Sequence, residues 1–210
     1  MTTIALFGGS GRSGQQFIPL ALQRGYRVKA LARAPEKIKQ KSENLEVIQG
    51  DVLTYPDVER LVKGSDVIVS LLGQVKGSPR DLQTNGTQNI VSAANATGKQ
   101  RILSLSGGGL PFEKDEPKLA DNLIRGAMRL FVPHILEDAK GHANVLRTSN
   151  LEWTIIRAPR LTNDEAKGNY KVGWVGQTGG TKISRADLAQ FIMEELEQKR
   201  FDQQMPFVTN

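Results

Sequence analysis

The stretch "IALFGGSGRSGQQF", residues 4–17, decides the fold. An apolar run ends abruptly in glycines, and an amphipathic stretch follows. Gly8, Gly11 and Gly14 give the spacing GxxGxxG between a predicted strand over 3–7 and a predicted helix over 14–25. In such a turn the first glycine allows the sharp reversal. The second lets the backbone approach a pyrophosphate, and the third lets helix and strand pack closely. Free N–H groups in the loop, Gly9 included, and the positive end of the helix would face the anion. Ser10 and Ser13 can add hydroxyl donors, and Arg12 can add charge.

Outward from this loop, short apolar runs alternate with amphipathic stretches. Strands are predicted over 27–33, 45–51, 66–73, 101–107 and 152–158, and helices over 55–64, 81–97 and 137–149. The run "DVIVSLLG" (66–73) is nearly all apolar, as a central parallel strand should be. Alternation with connections this short predicts parallel βαβ units. The expected fold is α/β: one doubly wound Rossmann domain over residues 1–210, with a mostly parallel sheet and a small C-terminal substrate-covering region. Two sections break the rhythm. Residues 107–136 hold a glycine triplet and three prolines, and residues 162–182 hold Tyr170 and Trp174 among glycines. Each follows the C-terminal end of a strand, where ligands bind in doubly wound sheets, so both are read as site-covering segments. "SRAD" (184–187) opens a last helix, with Ser184 as N-cap and Asp187 in the capping-box position.

Composition excludes several chemistries. With no cysteine, disulfides, thiolate metal sites and cysteine nucleophiles are excluded. Two histidines, His134 and His142, make a multi-histidine metal centre improbable, and no metal is expected. His142 reads as a helix-surface residue. The net charge of +6 comes without a dense basic run interleaved with aromatics. Nucleic acid is therefore not an expected partner, whereas anionic small molecules are. No apolar run approaches the roughly 18 residues of a membrane span, and no basic n-region precedes residues 1–7, so a cytoplasmic protein without membrane contact is expected.

The second strand selects the nucleotide. An acid at its end would bind the adenosine ribose and indicate NAD. Here the strand runs into "ALARAPEK", with Arg33 at that place and Lys37 about one helical turn on. Cations there suit a 2′-phosphate, which predicts NADPH. "QGDVL" (49–53) places Asp51 to meet the adenine amino group and Val52 against the ring. "LLGQ" (71–74) brings Leu72, Gly73 and Gln74 to the sugar-phosphate backbone.

A nucleotide domain of this size suggests short-chain dehydrogenase chemistry, in which a tyrosine precedes a lysine by one helical turn. The tyrosine donates the proton, and the lysine holds the nicotinamide ribose and lowers the tyrosine pKa. Four residues after Tyr26, Tyr55 and Tyr170 stand Ala30, Glu59 and Trp174. In "ILEDAKGHANVL" the candidate lysine, Lys140, is present, but Leu136 occupies the tyrosine position. Alcohol–ketone interconversion by that route is not expected. Sugar epimerase or dehydratase chemistry also relies on the missing tyrosine.

Four blocks together carry a wider likeness: "IALFGGSGRSG", "GDVLTYPDVERLVKGSDVIVSLLG", "VLRTSNLEWTIIRAP" and "GNYKVGWVGQTGGTKISRADLAQFIMEEL". With them the chain resembles the atypical short-chain dehydrogenases of the NmrA-like group, and within it the flavin reductase (biliverdin reductase B) family. The resemblance covers nearly the whole chain. It implies NADPH-dependent hydride transfer to free flavins (FMN, riboflavin, FAD) as substrates, and to linear tetrapyrroles and some quinones, without a tyrosine donor. Hydride transfer to a flat ring is mostly a matter of positioning, and the remaining proton can come from water. The family's active-site serine falls on Ser106 in "LSLSGGG", beside the cofactor. Its histidine falls on Arg160 in "RAPRL", next to Pro159 on the cofactor side. This is a departure, because arginine cannot be a general acid near neutral pH. It can stabilise a developing flavin anion or pair with a tetrapyrrole propionate. The same resemblance implies an alternative: an NmrA-like regulator that senses NADP(H) and answers to a protein partner.

Overall fold

The computed structural model describes residues 1–75, 77–99 and 101–210. Strand β1 (Thr3–Phe7) leads through the glycine loop into α1 (Arg12–Gln23) and β2 (Arg27–Ala32). A 3₁₀ turn at Pro35–Lys37 precedes β3 (Leu45–Gln49), α2 (Tyr55–Val62), β4 (Val67–Ser70), α3 (Leu82–Thr97) and β5 (Arg101–Gly107). Then come α4 (Leu119–Phe131), α5 (Pro133–Arg147), β6 (Glu152–Ala158), β7 (Arg160–Thr162) and β8 (Lys171–Gly173). The chain closes with β9 (Lys182–Ser184), α6 (Arg185–Gln198) and β10 (Phe207–Thr209).

Eight strands form one sheet in the order β3-β2-β1-β4-β5-β6-β10-β8. All pairs are parallel except β10 with β8. Strand order reverses between β1 and β4, and the crevice above their carboxyl ends is the topological switch point of a doubly wound sheet. β1 is apolar on both faces because both are covered. Ile4 and Leu6 pack with Phe17 and Ile18 of α1 and Phe191 of α6, while Ala5 and Phe7 pack with Leu61 of α2, Ile90 of α3 and Leu146 of α5. Each of the larger of these side chains contributes about 1.5–3 kcal/mol on burial.

The fold is the α/β Rossmann architecture expected. The main differences lie beyond β5. The segment 107–136 contains α4, a helix of 13 residues that had no predicted counterpart. Its residues are mostly good helix formers, and the Asp121 carboxylate reaches back to accept the N–H of the N-cap residue Lys118 at 2.8 Å. The flanking prolines masked it. Pro133 does not break a helix but starts one: α5 runs Pro133–Arg147, not over 137–149. Proline at the first helical position lacks only an N–H that would be unpaired anyway. Strands β7 to β10 have 3 residues each, too few to carry a periodicity.

Asp187 ties the C-terminal region together. Ser184 caps α6 by accepting the Asp187 N–H at 3.0 Å, as expected. The Asp187 carboxylate, fully buried, accepts N–H bonds from Lys167 (3.0 Å), Gly168 (2.9 Å) and the Asn210 side chain (2.9 Å), and the Ser184 hydroxyl proton. Burial alone would raise this carboxyl, but the donors, Gly168 and Lys167 foremost, outweigh it and hold it below the usual range. The stabilisation is therefore full above the ordinary carboxylate pKa and is lost as pH falls through the lowered one. Asp187→Ala is expected to cost about 2–3 kcal/mol in urea unfolding at neutral pH, and much less in acid.

Candidate functional site

Gly8 has φ +80°, and a Cβ there would stand 2.6 Å from the Leu71 carbonyl oxygen, so only glycine fits. Gly11 N–H closes the turn on the Gly8 carbonyl at 3.0 Å. A Cβ on Gly14 would stand 2.6 Å from Gly9 Cα, so helix and loop touch backbone to backbone. The N-terminus of α1 has no side-chain cap and no acid in its first turn. Its first N–H groups lack intrahelical partners and are offered to an anion. This cradle fits a dinucleotide pyrophosphate.

In front of it lies a cleft of about 260 Å³. Gly8, Ser10, Gly11, Arg33, Lys37, Asp51, Val52, Leu72 and Gly73 all line it, so four separate chain segments converge. Gly9 and Gly14 are buried behind the loop, and Arg12 and Ser13 form the first turn of α1. Arg33 and Lys37 are exposed, and among the described residues neither side chain has a carboxylate partner. Asp51 accepts the Leu53 N–H on Oδ1 at 3.0 Å and keeps Oδ2 free of protein donors among the described residues. Val52 is fixed by two contacts from α3 that sequence reading missed. Asn89 Nδ2 donates to its carbonyl at 2.9 Å, and Gly86 is bare where a Cβ would stand 3.1 Å from the valine methyl.

Gln74 is turned away from the cleft. Its amide donates to Asp138 Oδ2 at 2.8 Å. Asp138, on α5, also accepts Gln83 N–H (3.0 Å) and Thr84 N–H (2.9 Å), and so caps α3 from a neighbouring helix. Gln83 in turn donates to the Leu72 and Leu105 carbonyls, holding the ends of β4 and β5 at one level.

A second cavity, about 360 Å³, opens beyond β5 and β6. Gly107, Gly108 and Gly109, with Ala158, Pro159, Arg160 and Phe207, form its base. Asp121, Ile124, Arg125 and Met128 of α4 close one side, and Val175, Gly180 and Thr181 close the other. Both segments expected to cover a site thus supply its walls. Leu136 is buried and faces the glycine triplet: its Cδ1 lies 3.7 Å from where a Gly109 Cβ would be. The position of the tyrosine in short-chain dehydrogenase chemistry thus lies behind the glycine triplet and carries no hydroxyl.

Lys140 departs from its expected place. Its ammonium pairs with Glu137 at 2.7 Å, and its side chain lines a separate depression with Asn144 and Arg147. The helical rotation that buries Leu136 leaves Lys140 on the flank of α5, in neither cavity. Ser106 is buried at the end of β5, its Oγ without a partner among the described residues. Strand alternation puts it on the face of Ser104, whose Oγ lies 2.8 Å from His142 Nε2. His142 is not on the helix surface as expected but is buried. Burial pushes its imidazole down to about 4, although the Ala139 carbonyl and Asp138 pull it partly back. The ring is therefore neutral at pH 7, and the fold should lose about 3 kcal/mol between the ordinary histidine pKa and pH 4 as it resists protonation. His142→Gln should flatten stability-against-pH over that window.

The floor of the second cavity rests on a buried ion pair that sequence reading also missed. Arg157, next to last in β6, is 0% exposed. Its Nη atoms donate to the two Asp115 oxygens at 2.8 Å each, Nη1 also to the Leu110 carbonyl, and Nε to the Met205 carbonyl at 2.7 Å. Asp115 further accepts Phe112 N–H, Val175 N–H and Arg125 Nη2. Burial alone would raise the Asp115 carboxyl, but Arg157, with Phe112 N–H and Arg125, draws it down. The available signal was the arginine inside "TIIRA", a charge in a strand covered on both faces.

A doubly wound sheet with a glycine cradle at its switch point defines a dinucleotide-binding Rossmann protein. Comparison with known families agrees: a model described as NAD(P)H-binding matches residues 8–199, and the chain belongs to that family. Bacillus subtilis YwnB, an uncharacterised protein, is 25% identical over 92% of both chains. A short-chain dehydrogenase/reductase from Veillonella parvula, solved with NADP, superposes with TM-score 0.79 at 20% identity, over 100% of this chain and 94% of that one. ChuY from Escherichia coli O157:H7, described as an anaerobillin reductase, superposes with TM-score 0.78 at 20% identity, covering 100% and 97%. The fold is thus the one shared by these NAD(P)H-binding Rossmann proteins. Among the described residues no helix is long and apolar enough to cross a membrane.

Proposed function

We propose that the protein is an NADPH-dependent reductase that passes hydride to free flavins, with linear tetrapyrroles such as biliverdin and quinones as further acceptors. The observation that carries this reading is the pairing of two cavities across the ends of β4, β5 and β6. One holds cationic Arg33 and Lys37 at the place of the ribose-binding acid. The other is a largely apolar slot over the glycine triplet, behind which Leu136 stands in place of a tyrosine. Bound nicotinamide would supply the hydride, two electrons at once, and water the proton. The protein's part is positioning. The Gly8 loop and α1 hold the pyrophosphate, Arg33 and Lys37 the 2′-phosphate, and Asp51 with Val52 the adenine. Leu72 and Gly73 would flank the sugar-phosphate backbone, with Ser106 and Pro159 at the nicotinamide end and Arg160 facing the acceptor.

The resemblance to flavin reductase (biliverdin reductase B) supports the choice of acceptor. The anaerobillin reductase that shares the fold carries a tetrapyrrole activity by its own name. Steady-state NADPH consumption with FMN, riboflavin, a soluble quinone and biliverdin tests the reading. Acceptor-dependent turnover with NADPH preferred over NADH is expected, and no turnover with any of them would refute it. The displacement of Lys140 from the site favours one alternative, an NADP(H) sensor with a protein partner. Calorimetry showing tight NADPH binding without any oxidation would select that alternative.

A further inference from the structure

Two guanidinium groups in the acceptor cavity have donors to spare. Arg160 lines it from β7, exposed, and no carboxylate or carbonyl among the described residues takes its N–H groups. Arg125 reaches in from α4. Its Nη2 is spent on Asp115 at 2.8 Å, but its Nε is buried without a partner. A buried unpaired donor is unfavourable, and an oxygen brought by a ligand would relieve it. The surrounding charges leave an excess cation: among the described residues the charged groups lining the cavity are Arg125, Arg160 and Asp121, and Arg157 pairs with Asp115 beneath it. Asp115 is taken up by Arg157, Arg125 and the Phe112 and Val175 N–H groups, and Asp121 is turned to the Lys118 N–H.

The rest of the cavity suits a flat ring. A Cβ on Gly108 would stand 2.6 Å from Phe207, and one on Gly109 would stand 2.7 Å from the Met128 sulfur. Bare glycines let these two side chains close to a slot. A volume of about 360 Å³ accommodates a ring system and excludes a macromolecule.

We propose that this cavity is an anion-selecting acceptor site: it takes flat acceptors that carry a phosphate or carboxylate, held by Arg160 and by Arg125. The proposal rests on the reductase reading and adds the class of acceptor. Arginine grips either anion through paired N–H donors, so the two oxyanions are equivalent to it. Recruitment of Arg125 also ties α4 to the ligand, because the same side chain anchors α4 to Asp115.

The test is direct binding to protein saturated with NADP⁺, which closes the nucleotide cleft to stray phosphates. Flavin fluorescence compares FMN with riboflavin, the same ring with and without a phosphate. Calorimetry compares biliverdin with its dimethyl ester, the same tetrapyrrole with and without free carboxylates. The charged member of a pair should bind about tenfold tighter or more. Arg160→Gln should remove most of that advantage and leave riboflavin and the ester unchanged. Arg125→Lys keeps a cation on Asp115, and so the fold, but should also narrow the gap. Preference in one pair alone supports the site and identifies its anion. Equal affinities within both pairs, or a preference untouched by both variants, would overturn the proposal. A preserved preference with no NADPH oxidation would support the anion site and remove the reductase reading.

Discussion

Asp115→Ala unfolds at a much lower urea concentration than the wild-type protein, with a loss of about 3–5 kcal/mol. The alanine leaves the Arg157 guanidinium, 0% exposed, without its counter-ion. It also orphans the Phe112 and Val175 N–H groups and releases Arg125 on α4. The cost comes from the uncompensated charge rather than from the pair's own worth. Asp115→Leu combined with Arg157→Met should therefore recover the part of the loss that comes from the uncompensated charge, since an apolar pair needs no solvation. Acid acts in the same direction. The Asp115 carboxyl is held below the usual range, so its contribution is complete at neutral pH and disappears as pH falls through that lowered value. Urea midpoints of the single and double variants check both statements.

The second large effect is on the nucleotide. Arg33→Glu raises the KM for NADPH by about 100-fold, or about 3 kcal/mol, while the KM for NADH changes little or falls. Arg33 is exposed at the lip of the cleft and without an ion-pair partner among the described residues, so its removal leaves the fold intact. A carboxylate there repels a 2′-phosphate and suits a ribose hydroxyl. Unequal changes in the two KM values separate this from general damage, which would raise both.

The parts that local spacing encodes were legible in advance. The glycine loop, the strand before it and the cations after β2 are each set by neighbours a few residues away, and the structure gathers Gly8, Arg33, Asp51 and Gly73 around one cleft. What depends on distant partners was hidden. α4 stood between prolines that read as breakers, and its anchor is Asp115, itself held by an arginine 42 residues on. Lys140 had the right spacing from position 136, but spacing cannot report that Glu137 claims its charge on the flank of α5. His142 looked polar and exposed because nothing nearby in sequence announces Ser104 on the strand it packs against. The three-residue strands that complete the second cavity are too short to leave a period.

The most direct measurement of the central claim is a single turnover. Protein loaded with one equivalent of NADPH is mixed anaerobically with excess FMN, and nicotinamide and flavin absorbance are followed together. Both are expected to fall with one rate constant and in equal molar amounts, and Arg33→Glu to slow the reaction only through lower NADPH occupancy. NADPH that stays reduced while calorimetry shows it bound would rule out hydride transfer to FMN.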